Sequence, residues 1–571
     1  MAKLSHGMTD RNLSEIFEWI EHNELALPEL QRPSVWGSNK IPRLLSSVYS
    51  DYPFGIFLIW TPKKNERIHC KPFMFQKSTN YNTQEIFTHY LIDGQQRLTS
   101  FFRALHDNGD LSVAFNIQTE EFALPDAKIR AMLKNPAEYH WYKLRELLKL
   151  DTIEIAELFK VHSGLGKNHL EGIFGNQGKL QKLLPTNISI SFYNINEKSY
   201  GDVSEIFERI NLGTPVKRSQ IVLGKLSTVY PGVVSEVEIF LEQMRLKNGC
   251  RFDLDLFIST FSTTATMFAD VNNLEKRYLQ YAKPNIEKVK SDIRKTKKVL
   301  KEALDFIEEH LFIDTMKYCP SERTLTALSF LFAKKPTYIK DSINTHKIVL
   351  WVAWALLTGH HNDHRRLVKD IAIIRDNSED IPELLTDQMK KAGLRANLTQ
   401  RKKSLLDMES PISRNNAIFG FVYALTRWKE AVSFISRDPI KTEAVDETED
   451  EEEYIDENTV KKEAIHEHHI YPSSRLKEES VQGEDWITKE WINDIANLTF
   501  LTGKDNIALK DPEIDYLWVL PQYLKKGHMI ANHHYRKGQY KKFLKDRRKL
   551  IKEYLELFLK ELQSNAGYPW G

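Results

Sequence analysis

The run DETEDEEEYIDEN, residues 446–458, holds nine carboxylates in thirteen positions. Charges of one sign packed that densely repel one another and have almost nothing apolar to bury, so no core can pass through them. The run reads as a solvated, mobile linker. It cuts the chain into a long first part and a compact tail. At 571 residues the chain already exceeds what one core can organise, because single cores stop growing at ~250–300 residues. Two to four domains are expected.

Other global features mainly exclude. The net charge is +2 and the mean hydropathy −0.45, a soluble composition whose overall charge points to no partner. Cys70, Cys250 and Cys319 are far apart and form no CxxC pair, which fits a reducing, cytoplasmic setting. The first twenty residues lack the apolar centre of a secretory signal. The longest apolar run, IVLWVAWALL at residues 348–357, has ten residues, where a membrane span needs ~20. It is expected to be a buried helix segment, and no membrane association is expected.

Periodicity gives a coarse plan. Leu13, Ile16, Phe17 and Ile20 recur at helical spacing, so residues 10–23 read as a helix with Thr9 or Asp10 as its cap. LALPELQRPSVWG reads as extended or turn. Residues 40–50 read as a short helix, FGIFLIW (54–60) as a buried strand, and ISISFYNI (188–195) as an alternating strand. Residues 1–218 are thus expected to form a small mixed α/β domain. Residues 219–437 are mostly helical in pattern, with a break near Pro284, and no fixed-period repeat is present. An acidic linker, 438–462, precedes a tail domain at 463–571. Between Lys525 and Lys552 the tail carries eleven Lys or Arg and one acid, Asp546. Such a stretch suits phosphates or is simply a solvated helix face.

The tail holds the densest chemistry. IHEHHIYPSSRLK (465–477) is followed by INDIANLTFLTGKDN (492–506). Asn497 lies 28 residues after His469, and Asn506 nine after that. Phosphodiester hydrolysis needs a base that titrates near neutrality, as histidine does, and a hard cation on the phosphate. The HIYP segment with two Asn at this spacing resembles the HNH, or ββα-metal, nuclease family. By that resemblance His469 is the general base, His468 and Asn506 are metal ligands, and Asn497 braces the loop and orients the histidine. The implied metal is Mg²⁺ or Mn²⁺, since a histidine ligand tolerates Mn²⁺ better than an all-oxygen site. One departure is visible: the position before the base is most often Asp, and here it is His468. Glu467 stands one residue earlier, so the register Glu467–His468 stays open beside His468–His469.

Near the other end, HYLIDGQQRLTSFFRAL (89–105) runs from a short apolar strand through a polar turn into an amphipathic helix. Gly94 permits a tight turn beside a phosphate. Arg97 offers a planar fork to phosphate oxygens. Gln95 and Gln96 suit a nucleotide or a water, and Asp93 suits phosphate-bound Mg²⁺. The competing reading is a polar turn in which Asp93 caps the helix and pairs with Arg97. No GxxxxGK[ST] loop exists, so a P-loop NTPase is excluded. LIDGQQRL resembles the signature of the N-terminal domain of GmrSD-type restriction enzymes, a domain similar to the ParB and sulfiredoxin nucleotide-binding fold. LPELQRPSVW, with Gln31, Arg32 and Trp36, resembles that family's first motif. IFERINLGTPV, with Phe207, Arg209, Asn211 and Gly213, resembles its third. GHHNDHRRL (359–367) sets His360 and His364 four apart but brings no ligand set beyond Asp363, so it reads as a helix–helix connection.

Together these imply an α+β, multidomain chain: a ParB/sulfiredoxin-like N-terminal domain, a helical middle and a ββα-metal (HNH) tail. The implied function is a modification-dependent, type IV-like DNA endonuclease of anti-phage defence. It would act on double-stranded DNA, sense modification through Gln31, Arg32 and Trp36, and bind or hydrolyse GTP or ATP through Asp93, Gly94, Gln95, Gln96, Arg97, Arg209 and Asn211. A homodimer is one assembly open to it. The other reading is a nucleotide-gated, ParB-like DNA-binding protein with an inactive HNH tail. Neither the DNA mark (on the base or a backbone phosphorothioate) nor the choice between nicking and cutting is written in the sequence.

Overall fold

Short β-branched and aromatic runs separated by turns build strands that need a shared face to bury, and here they join one mixed sheet. The computed structural model describes residues 7–28, 39–62, 70–72, 87–158, 178–248, 253–441 and 465–567, except 152, 156, 197, 199–201, 204–205, 207–216, 228, 272–273, 283, 482–483, 510–515, 517–519 and 533–537. The chain packs as two compact units, residues 1–235 and 236–571.

In the first unit the strands are β1 (Gly7–Asn12), β2 (Leu25–Pro28), β3 (Phe57–Thr61), β4 (Cys70–Pro72), β5 (His89–Asp93) and, much later in the chain, β9 (Ser189–Asn196). Their order in the sheet is β1-β9-β3-β5-β2-β4. β9 runs parallel to β3, and β5 parallel to β2. The parallel pair matters for the site. β2 releases the chain at Pro28 at the same end of the sheet where β5 ends in Asp93. Three helices pack on the sheet's larger core: α1 (Leu13–Glu21), α2 (Lys40–Tyr49) and α3 (Gln95–Leu105). The opposite core is smaller and holds Trp60, Tyr90, Ile92, Ile195 and Val203, with Ile206 against it. Three short strands, β6 (Ala114–Asn116), β7 (Glu121–Ala123) and β8 (Trp141–Lys143), form a separate antiparallel sheet.

The expected helix at 10–23 starts later than its periodicity suggests. Residues 7–12 extend β1 alongside β9, and the cap is Asn12, whose side chain accepts from Glu15 N at 3.0 Å. Thr9 and Asp10 lie within the strand. The edge pairing won over the local helical pattern.

The second unit is built of α4 (Leu254–Thr266), α5 (Ile286–Leu311), α6 (Glu322–Lys334), α7 (Ser342–Thr358), α8 (His364–Asp376), α9 (Ile381–Lys391), α10 (Leu394–Ser404) and α11 (Ala417–Trp428). Then follow the hairpin β10 (Ile465–His469) and β11 (Leu498–Thr502), with α12 (Ser473–Val481) between them, α13 (Gly503–Ala508) and α14 (Tyr540–Asn565). α7 carries the ten-residue apolar run. It is buried from Ile348 to Leu357, because a helix apolar on every side must be enclosed. Among the described residues no helix is long and apolar enough to cross a membrane.

The mixed α/β character and the helical middle match expectation. By packing the chain divides once, near residue 235. Within the second unit α14 packs on both α7 and α11, so the helical part and the tail share one core. Most of the acidic linker, from residue 442 onward, falls outside the described residues.

Candidate active site

β10 and β11 pair antiparallel, with His468 opposite Thr499 and His469 opposite Leu498. α13 follows β11 directly, capped by Thr502, whose Oγ1 accepts from Asp505 N. Side chains alternate across a strand. His466 and His468 therefore share one face of β10, and Glu467 and His469 the other.

On the first face, Asn506 of α13 reaches back between the two histidines. Its Oδ1 lies 3.0 Å from His468 Nδ1, and its Nδ2 lies 3.3 Å from His466 Nδ1. Tyr516 fixes the far side of His468. Its hydroxyl donates to Ile470 O at 3.0 Å and lies 3.2 Å from His468 Nε2. The hydroxyl has one proton, already given to Ile470, so His468 Nε2 must be the protonated nitrogen. Nδ1 then presents a lone pair to the lone pair of Asn506 Oδ1. A proton or a cation has to lie between them, or the amide has to turn over. Burial argues against the proton, since it pushes His468 down to about 4. A divalent ion fits the donor set: cis ligands on an octahedral ion with bonds of ~2.1 Å lie roughly 3 Å apart.

On the second face, His469 Nε2 lies 3.2 Å from Asn493 Oδ1. The orientation of that amide is settled by its neighbours. Asn493 Nδ2 donates to Lys489 O at 2.8 Å, and Oδ1 accepts from Arg414 Nη2 at 2.9 Å. His469 must therefore donate from Nε2, which leaves the lone pair on Nδ1. Burial lowers the pKa of His469, with the Asn493 hydrogen bond working the other way, so the ring is neutral near pH 7. Glu467, on the same face, is held by Arg414 Nη1 at 2.6 Å and Lys317 Nζ at 3.1 Å. It points away from Asn506.

The Asn497 side chain hydrogen-bonds to Tyr471 and Ile492 rather than to His468 or His469. It is fully buried and closes the turn after β10. Its Oδ1 accepts from Tyr471 N at 2.8 Å, and its Nδ2 donates to Tyr471 O at 3.2 Å and Ile492 O at 2.9 Å. The four residues singled out in the tail thus meet as a pair, His468 with Asn506, a histidine on the opposite face, and an asparagine beneath the turn.

The basic tail is partly structural. Arg547 and Arg548 are fully buried. Arg547 Nη1 donates to Ala496 O at 2.8 Å and Leu498 O at 2.7 Å, on either side of Asn497. Arg548 pairs with buried Asp494 and reaches the carbonyls of Asp407 and Ser410.

In the first unit, Gly94 is the turn between β5 and α3, at φ +100. A Cβ there would strike the Phe57 ring at 2.3 Å as well as strain the backbone. Arg97 is largely committed to the protein. Its Nη1 donates to Phe54 O at 2.7 Å, its Nη2 to Ile56 O at 3.0 Å and Asp93 Oδ2 at 3.2 Å, and it lies over the Phe57 ring at 4.6 Å. Gly55, at φ +94, leaves the room that its Nη1 occupies. The Asp93 side chain is 43% exposed against 16% for Arg97. Asp93 pairs with Arg97 but does not cap α3. Gln95 is buried, and among the described residues its Oε1 has no hydrogen-bond partner. Gln96 is partly buried. Gln31, Arg32, Trp36, Arg209 and Asn211 lie outside the described residues.

Sequence reasoning missed His466, Asn493, Arg414, Lys317 and Tyr516. Only His466 left a signal, since it stands two residues before His468 and strand alternation puts both on one face.

Comparison with known proteins agrees with both ends of the chain. The model of the GmrSD restriction endonuclease N-terminal domain matches residues 13–226, and that of the GmrSD C-terminal domain matches residues 429–560. An uncharacterized protein of Methanocaldococcus jannaschii is 22% identical over 549 residues, covering 89% of this chain and 86% of its own length. With the DGQQR turn in one matched segment and the His468–Asn506 hairpin in the other, the chain belongs to the GmrSD restriction endonuclease family and is a restriction-type DNA endonuclease.

Proposed function

We propose that this endonuclease attacks modified DNA by metal-assisted HNH chemistry in anti-phage defence, with an N-terminal domain that senses the mark under NTP control. The observation that carries the chemistry is the His469–Asn493 hydrogen bond. It presents a neutral imidazole with its lone pair on Nδ1, the form a general base needs. His469 Nδ1 takes a proton from water. The water oxygen bonds to phosphorus as the bond to the leaving sugar oxygen breaks. His468 Nδ1 and Asn506 Oδ1 would hold Mg²⁺ or Mn²⁺, which would supply positive charge to the phosphate and the departing oxygen. The contact between Asn506 and His468, with Glu467 held by Arg414 and Lys317, favours the register His468–His469. Asn497 braces the turn that carries the base. Arg414 and Lys317 add positive charge on the face of His469, where a phosphate would approach.

The NTP half is supported by a half-exposed Asp93 at a strand end and by Gln95 Oε1, which has no hydrogen-bond partner among the described residues.

The test is nicking of supercoiled plasmid that is unmodified, glucosylated or phosphorothioated, with Mg²⁺ or Mn²⁺ and with or without GTP or ATP. Modified DNA should be cut, and His469→Ala should cut nothing while binding DNA like wild type. Near wild-type nicking by His469→Ala, with loss in His468→Ala, would move the base to His468 and the ligand to Glu467.

A further inference from the structure

Away from the nuclease hairpin, three ligand-type groups converge inside the helical part of the second unit. Gly359 ends α7 at φ +65, and the chain turns through a single 3₁₀ turn, His360–Asn362, into α8. That turn folds His360 and His361 inward, against Asp370 two turns along α8. Asp370 Oδ2 lies 3.0 Å from His361 Nε2 and 3.2 Å from His360 Nε2. The three side chains are 0–2% exposed. Their ligand atoms all lie within 4.8 Å of one another, the one such group among the described residues.

Hydrogen bonding accounts for only part of this cluster. His361 is satisfied, with Nε2 on Asp370 and Nδ1 3.0 Å from Thr324 Oγ1 on α6. Among the described residues Asp370 Oδ1 has no hydrogen-bond partner, and His360 Nε2, 3.2 Å from Asp370 Oδ2, makes no well-aligned hydrogen bond. Among the described residues no lysine or arginine pairs with the carboxylate. A buried carboxylate oxygen with neither a hydrogen-bond donor nor a cation beside it is costly.

We propose that His360 Nε2, His361 Nε2 and the Asp370 carboxylate hold a divalent transition-metal ion of the zinc class, in a structural site separate from the nuclease centre. Two imidazoles and one carboxylate are an established donor set for such ions. Ligand atoms around a tetrahedral ion with bonds of ~2.0–2.1 Å stand roughly 3.3 Å apart, close to the two distances to Asp370. The ion takes up both orphaned atoms: His360 Nε2 becomes a ligand, and Asp370 Oδ1 gains a partner as the second carboxylate oxygen. Thr324 then acts as the hydrogen-bond acceptor that fixes the His361 tautomer, as groups behind metal-bound imidazoles do. The ion would pin α6, the α7–α8 turn and α8 to one point.

The experiment uses the full chain carrying His468→Ala and Asn506→Ala, so that the nuclease pair cannot contribute. Metal content is measured by mass spectrometry on the protein as purified, and again after chelation and refolding with Zn²⁺. About one equivalent per chain is expected, with a higher Tm for the loaded form. Adding Asp370→Asn should weaken Zn²⁺ binding by ~10-fold or more. Should that variant not fold, X-ray absorption of the zinc-loaded chain decides instead, with two imidazoles and no sulfur expected at the metal. No uptake under either condition overturns the site, as does zinc bound through sulfur or without imidazole.

Discussion

Asn493 decides which nitrogen of His469 is free. Replacing it with Ala removes the acceptor and lets the ring turn. The nicking rate at saturating metal should fall by roughly 10- to 100-fold, while the Kd for DNA stays at the wild-type value. Asn493→Asp is the informative companion. It keeps an acceptor but adds a charge that favours protonated imidazole, so the acid limb of its pH–rate profile should move to higher pH. Equal pH profiles for the wild type and both variants would detach Asn493 from the base. Histidine and asparagine at those spacings were visible in the sequence. Asn493 was not, because its reach depends on the short helical turn at Lys489–Ile492 and on Arg414, 79 positions away in the chain. Tyr516 was invisible for the same reason: tautomer control is a property of folded geometry, not of spacing.

The β5–Gly94–α3 element was legible because its signals are local: an apolar run, a glycine, an amphipathic run. The role of its arginine was not. From the sequence Arg97 looks free for phosphate, and in the fold it ties the 54–56 turn to β5 through three hydrogen bonds. The two residues of this element should therefore separate experimentally. Arg97→Ala strands the carbonyls of Phe54 and Ile56 and should destabilise the first unit by ~2–4 kcal/mol in urea unfolding. Asp93→Ala should leave that midpoint within ~1 kcal/mol of wild type and lower NTP turnover instead. If Asp93→Ala turns over NTP normally, or if the wild type turns over none, DGQQR belongs to the DNA-sensing surface rather than to a nucleotide site.

At the scale of the whole chain, composition marks a dense acidic run at 446–458 but not what packs on what. Residues 463–571 look self-contained by pattern, yet Arg548 and Ile495 hydrogen-bond to Asp407, Ser410 and Ile412. A fragment of 463–571 should be insoluble or molten, whereas 236–571 should fold cooperatively, as judged by a sharp thermal transition and dispersed amide NMR signals. A well-folded 463–571 would refute the shared core. Acid should also loosen this unit. His528 is buried, accepts from Thr499 Oγ1 at Nδ1 and donates from Nε2 to Val432 O, and burial pushes it down to about 4. The unfolded chain binds its proton near pH 6.5 and the folded chain does not. Stability is thus complete above ~6.5 and declines as pH falls toward about 4, by roughly 3 kcal/mol for this group. Urea midpoints measured across that window should fall less steeply in His528→Gln than in wild type. Arg547 carries a consequence of another kind. It grips the carbonyls on both sides of Asn497, yet it follows Asn497 by 50 positions in the order of synthesis. A ribosome has built the whole hairpin well before the residue that seats it exists. Nascent chains and products that end before α14 lack the clamp on the carbonyls flanking Asn497, so the hairpin should reach its final seating only once α14 has been made.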